Sequence, residues 1–154
     1  MNETKICFIA SSGGHLEEIT RLKKVASLFD CFLVTEKGDF SAKDFCSKQY
    51  IVPQINRKEI LFLPKFIRLM GRARRIIKKE KPDYIITTGA LIAYPFCLFA
   101  RLRKCKIIYI ESFARVDKPS LTGKLLYNFA DLFIVQWEDM LINYPKSVLG
   151  GGIF

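Results

Sequence analysis

Several familiar signatures are missing from these 154 residues. No C-x-x-C pair occurs, and the cysteines are an odd five, Cys7, Cys31, Cys46, Cys97 and Cys105, with no two closer than eight residues. That spacing gives no support to a zinc knuckle or a dithiol redox centre. Cys7, Cys31 and Cys97 lie in apolar runs and read as buried thiols of a reducing compartment. There is no G-x-G-x-x-G and no G-x-x-x-x-G-K-[ST], so a dinucleotide fingerprint and a P-loop are both unsupported. No D-x-D pair occurs, so no metal is implied. The first apolar run, Ile6–Ala10, passes straight into Ser11-Ser12-Gly13-Gly14, which is not the pattern of a secretory leader. The longest apolar run, Ala90–Ala100, has eleven residues, against roughly 20 for a membrane-crossing helix. Acidic residues are also scarce. Fifteen Asp or Glu face 25 Lys or Arg, a formal charge of +10, which points to an anionic partner.

Half the residues are apolar, enough for one globular domain with a sizeable core. Short apolar runs at Lys5–Ala10, Cys31–Thr35, Tyr50–Val52, Tyr84–Thr87, Lys106–Ile110, Leu132–Val135 and Ser147–Leu149 read as strands. Helical spacing joins Leu16, Ile19, Leu22, Val25 and Ala26 after the first of them. Further helices are expected over Phe40–Ser47, Ile60–Lys79, Leu91–Arg101, Ser120–Ala130 and Glu138–Asn143, with Pro95 kinking or breaking the third of these. Strand–helix alternation predicts an α/β fold, a Rossmann-like, mostly parallel sheet with helices on both faces. The domain is expected over residues 1–149, and Gly150-Gly151-Gly152-Ile153-Phe154 as a linker or disordered tip.

In such sheets ligands bind beyond the carboxyl ends of the strands. Ser12, Gly13, Gly14 and His15 follow the first strand, Thr88 and Gly89 the fourth, and Glu111, Ser112 and Arg115 the fifth. Gly13 and Gly14 permit a tight turn and close backbone approach to a ligand, and a helix opening there offers amides to an anion. By itself the turn can also be an ordinary one. His15, the only histidine, is either a proton acceptor near neutrality or a helix cap. Glu111 orients a hydroxyl or holds a backbone amide. Arg115 either grips phosphate or pairs with Glu111 or Asp117.

Residues 57–81 carry ten Lys or Arg against two Glu, a net +8. Phe66, Ile67, Leu69, Met70, Ala73, Ile76 and Ile77 form one apolar face of this segment. A helix packed on the sheet looks like this, and so does a helix on an anionic membrane. The two are compatible if Phe62, Leu63, Arg68, Arg72 and Arg75 meet the lipid. Nucleic-acid binding is not expected, because no nucleic-acid motif accompanies the charge and the aromatics lie inside apolar runs.

Five blocks taken in order, Ser11–His15, Thr87-Thr88-Gly89, Tyr109–Val116, Ser120–Tyr127 with Ala130-Asp131, and Val135-Gln136-Trp137, resemble the Alg14-like family. The resemblance runs over nearly the whole chain. It implies the N-terminal, acceptor-side half of a GT-B glycosyltransferase related to the MurG class. A separate Alg13-like chain would supply the C-terminal half and bind the nucleotide sugar. In eukaryotes such a pair extends a dolichyl-diphosphate sugar. Bacterial relatives of the PssD and CpsF type act on a polyprenyl-diphosphate-linked sugar in capsule or exopolysaccharide assembly, and the lack of an N-terminal membrane helix favours that type, attached peripherally to the cytoplasmic face of the membrane. On this resemblance His15 and Glu111 are the catalytic candidates, and Ser12, Gly13, Gly14, Thr88, Gly89, Ser112 and Arg115 bind the acceptor. No cofactor is implied. The competing expectations are a non-catalytic partner that anchors or activates a glycosyltransferase, and a stand-alone nucleotide-binding enzyme.

Overall fold

The computed structural model describes residues 4–38, 42 and 44–154. Seven strands form one sheet, all neighbours parallel, in the order β3-β2-β1-β4-β5-β6-β7. They are β1 (Lys5–Ala10), β2 (Asp30–Glu36), β3 (Lys48–Val52), β4 (Tyr84–Thr87), β5 (Lys106–Ile110), β6 (Leu132–Val135) and β7 (Val148–Leu149). The chain winds outward from β1 to β3, then crosses back over the sheet to place β4 on the other side of β1. The reversal leaves a crevice beyond the carboxyl ends of β1 and β4, where doubly wound sheets take their ligands.

Alternation along the strands splits the apolar residues between two cores. Cys7 and Ile9 of β1, with Phe32, Ile85, Ile107 and Phe133, pack beneath the helices α3 (Phe62–Glu80), α4 (Ala93–Arg101), α5 (Leu121–Leu126) and α6 (Met140–Asn143). Ile6, Phe8 and Ala10 face the other way, onto α1 (Gly14–Thr20), α2 (Lys23–Ala26) and the segment holding Phe45 and Cys46. Strands buried on both faces read as short unbroken apolar runs, which is why their positions were plain in the sequence.

α3 is an amphipathic helix whose Leu69, Ala73, Ile76 and Ile77 are buried, positions four, seven and eight residues apart along one stripe. Its last turn is tied to the sheet through Glu80, which accepts from Tyr50 at 2.5 Å and Lys48 at 2.6 Å. Burial opposes the charge on Glu80, but these donors and Lys5 outweigh it and hold its pKa below the usual carboxylate value. Lys81 then adopts a left-handed conformation and Pro82 prevents continuation.

The structure departs from the sequence expectations in several elements, and the helix expected over Ser120–Ala130 is shortened to Leu121–Leu126. The helix after β1 is two pieces, because the Arg21 and Leu22 amides reach back three residues to Glu18 and Ile19, tightening the turn between α1 and α2. Pro95 neither kinks nor breaks α4. The helix begins at Ala93, so Pro95 lies in the first turn, where no backbone donor is needed. The helix expected over Phe40–Ser47 lies partly outside the described residues, and residues 44–47 form a turn and a bend. The glycine-rich end is seated rather than free. Gly150 donates to the Val135 carbonyl at 2.9 Å, the Ile153 amide donates to Gln136 Oε1 at 2.8 Å, and the Phe154 ring lies 5.3 Å from that of Phe113.

Candidate functional site

A recess of about 300 Å³ opens at the reversal point, lined by His15, Arg57, Ala90, Ser112, Ala114, Arg115 and residues 120–122. Each wall has a local cause. Gly13 sits at φ +83° with open space around it, a conformation that favours glycine, and turns the chain from β1 into α1 so that His15 arrives on the recess side. The Leu16 and Glu17 amides return to the Gly13 carbonyl, which fixes that turn. On the β4 side, Thr88 Oγ1 donates to the His15 carbonyl at 2.9 Å. Gly89 lies at φ +109°, where a Cβ would press on Tyr109 Oη at 2.9 Å and approach His15 Cε1 at 3.5 Å. Ala90 follows at φ +69°, a strained backbone for a residue with a side chain.

His15 is half-buried, and its Nδ1 is enclosed without a hydrogen-bond partner among the described residues. Burial lowers the imidazole pKa from its ordinary 6.5, with the Arg115 charge acting in the same sense, while the Thr88 backbone and the Glu111 charge oppose. The shift favours the neutral ring, the form able to accept a proton. Arg115 is exposed and forms no ion pair among the described residues, so the salt bridge with Glu111 or Asp117 is not formed. Arg57 reaches the same recess from the loop between β3 and α3. Two guanidinium groups from distant parts of the chain thus share a pocket with one imidazole, an arrangement suited to a phosphate or diphosphate.

Glu111 plays another part. It is only 1% exposed, and its two carboxyl oxygens take hydrogen bonds from Tyr109 at 3.2 Å, the Ser112 amide at 3.1 Å, the Ser120 amide and hydroxyl at 3.2 Å each, and Tyr144 at 2.9 Å. Burial first, and the Glu111 charge second, push the Tyr109 and Tyr144 phenols up, so both remain donors. Gly123 closes the hub. A Cβ there would collide with Glu111 Oε2 and stand 2.5 Å from Tyr144 Oη. Of the readings the sequence leaves open for Glu111, a catalytic carboxylate or a holder of backbone amides, the structure shows it holding the Ser112 and Ser120 amides with both oxygens occupied and enclosed, so that it organises the loop that carries Ser112 and Arg115.

The remaining candidates divide. Ser112 lines the recess and donates to Glu18 Oε1 at 2.8 Å, which also takes the Phe113 amide at 3.0 Å. Burial raises the Glu18 pKa against these two bonds. Gly13 and Gly14 form the exposed lip. Thr88 and Gly89 support His15 from behind, and Ser12 is packed against Gly38 of the β2 exit, away from the recess lining. Arg57 was missed by sequence reasoning. It was legible only as one charge in a basic segment, because nothing local shows that its loop returns to the sheet end. Glu18 and Tyr144 were missed for the same reason. Their partners lie 94 and 33 residues away.

On α3, Leu63 is 64% exposed, and Ile60, Leu61 and Ile67 are exposed beside it. Phe62, expected at the surface, is half-buried and stacks on Phe66 at 5.6 Å. Arg68 and Arg75 are exposed and Arg72 half-buried. Among the described residues no helix is long and apolar enough to cross a membrane, and no group of three metal-ligating side chains occurs.

Comparison with known proteins gives a consistent picture. The family described as "Oligosaccharide biosynthesis protein Alg14 like" matches residues 6–153. The chain is 29% identical to the UDP-N-acetylglucosamine transferase subunit ALG14 of Mus musculus, over 97% of this chain and 82% of that protein. It is 32% identical to the Candida albicans subunit of the same name, over 95% of this chain and 76% of that protein. Among solved structures, Acinetobacter baumannii MurG superposes with a TM-score of 0.69 at 19% identity, over 88% of this chain and 42% of that one. A UDP-GlcNAc 2-epimerase from Neisseria meningitidis superposes at 0.72 with 10% identity, over 97% of this chain and 47% of that one. These two share the fold, and the chain spans less than half the length of either.

Proposed function

Because this chain belongs to the Alg14-like family of oligosaccharide biosynthesis proteins, we propose that it is the acceptor-side subunit of a two-chain glycosyltransferase. The observation that carries the proposal is the recess itself. An imidazole and two arginines meet at the reversal point of a domain that spans less than half of the MurG chain with the same fold. Arg57 and Arg115 hold the diphosphate of a polyprenyl-diphosphate-linked sugar, and the Gly13-Gly14 lip receives its sugar end. His15 takes the proton from the attacking hydroxyl as that oxygen bonds to the anomeric carbon and the nucleotide diphosphate departs. A well-placed base of this kind contributes about 10²–10⁴-fold. An Alg13-like partner brings the nucleotide sugar over the recess. Peripheral attachment to the cytoplasmic face of the membrane, through the exposed apolar and basic residues of α3, puts the acceptor lipid within reach. A PssD- or CpsF-like place in capsule or exopolysaccharide assembly is the matching pathway.

The test is reconstitution. The purified chain alone transfers no sugar to a short polyprenyl-diphosphate sugar, and transfer appears when the second half is added. Full transfer by the isolated chain would overturn the two-chain reading. Loss of partner-dependent turnover in Arg57→Gln and Arg115→Gln, with the complex still formed, supports the acceptor recess. Unchanged acceptor KM in both variants removes it.

A further inference from the structure

A second cavity, of about 120 Å³, is lined by Pro53, Ile55, Lys65, Arg68, Leu69 and Arg72. Pro53, Ile55 and Leu69 make it apolar, and cations stand at its mouth. These cations are not equivalent. Lys65 is paired with Glu59 and is largely neutralised. Arg72 donates one nitrogen to the Ile51 carbonyl at 2.9 Å, which anchors the guanidinium to β3 and leaves its other donors unused. Arg68 is exposed, with no hydrogen bond or ion pair among the described residues. Arg68 and Arg72 are four residues apart on one helix and so lie side by side on one face. With Arg72 anchored and Arg68 free beside it, they present the forked donors that match a phosphate.

We infer that this groove is a discrete site for one acidic phospholipid, with the phosphate on Arg68 and Arg72 and the first acyl carbons in the apolar cleft. The volume supports that division. It equals roughly four water-sized volumes, enough for a few carbons but not for an acyl chain. The chains must therefore leave the groove, and the exposed Leu63 and Ile67 of the same helix supply the apolar surface along which they enter a bilayer. A nucleic-acid backbone would use the arginines but leave the cleft empty. The inference rests on the membrane-surface part of the proposed function and adds to it a stoichiometric headgroup site. Because α3 also follows Arg57, a lipid seated here sets the height of the acceptor recess above the membrane.

Dihexanoyl phosphatidylglycerol, used below the concentration at which it forms micelles, tests the site without a bilayer. It should bind the full chain saturably at one molecule per chain and shift the methyl resonances of Ile55 and Leu69. Dihexanoyl phosphatidylcholine and inorganic phosphate should bind at least tenfold more weakly. Arg68→Gln, a surface change that breaks no contact, should weaken phosphatidylglycerol binding about tenfold. Ile60→Ser with Leu61→Ser, both exposed and outside the groove, should leave it intact while reducing binding to vesicles of phosphatidylglycerol and phosphatidylcholine. If such vesicles bind the chain but the short lipid does not, the groove site is overturned while membrane attachment stands. If neither binds, both fail. Preferential binding of geranyl diphosphate, or of a short oligonucleotide that shifts the same methyls, would also overturn the assignment.

Discussion

The turn after β1 and the loop after β5 lie side by side at the open end of the sheet and treat their polar groups in opposite ways. After β5, Glu111 is enclosed and takes five hydrogen bonds from Tyr109, Ser112, Ser120 and Tyr144. After β1, His15 is held by its backbone and flanked by Gly89, yet its Nδ1 has no partner among the described residues. A buried carboxyl that lacked partners would be costly, so a satisfied one is part of the framework. The His15 ring lines the recess while its partnerless Nδ1 lies enclosed behind it, so the ring is not locked by side-chain partners as Glu111 is. Two residues that look alike as candidates in the sequence thus separate into a satisfied support and a ring that lines the recess, the one proposed to react.

Substitution breaks the comparison most sharply at His15. His15→Gln should leave the fold intact, keep hydrogen bonding and lower kcat of the assembled complex about 10²–10⁴-fold. Measured with saturating acceptor and partner, near-normal kcat would reduce His15 to a positioning residue. Glu111→Ala should act through stability instead. It strands the Tyr109, Tyr144 and Ser120 donors in the interior, and unfolding in denaturant should show a loss on the order of 3 kcal/mol. A Glu111→Ala chain of normal stability that has lost only kcat would reverse the roles of the two residues.

Gly123→Ala sharpens the support side alone. The added carbon falls on Glu111 Oε2 and Tyr144, and overpacking of this kind costs about 1–3 kcal/mol, read as a fall in Tm. Arg57→Gln probes the recess without touching the hub. Hydrogen bonds to charged groups contribute about 1.5–3 kcal/mol, so acceptor KM should rise roughly tenfold or more at unchanged Tm.

The smallest effect is the pH dependence. The folded chain holds the His15 pKa below its ordinary 6.5, so the unfolded chain takes up the proton first. The contribution of the neutral ring to stability is present above pH 6.5 and declines as the pH falls below it towards the lowered pKa. The acid limb of kcat/KM should likewise lie below 6.5, and equilibrium unfolding of His15→Gln between pH 7.5 and 5.5 should lack the wild-type slope.

The order and type of nearly every element, including β1, β4, β5 and β6 to the residue, was set by the sequence itself, because strands buried on both faces must be short apolar runs and helices must carry a 3.6-residue stripe. The Alg14-like motifs and the placing of Gly13, Gly14 and His15 at a strand exit were legible for the same local reason. Tertiary structure alone decided what those residues do. Whether Glu111 is free or enclosed depends on Tyr144, 33 positions later, and the meeting of Arg57 with Arg115 depends on the crossover that brings the β3–α3 loop back to the sheet end. Periodicity records which way a side chain points, and carries no information about which distant group folding sets against it.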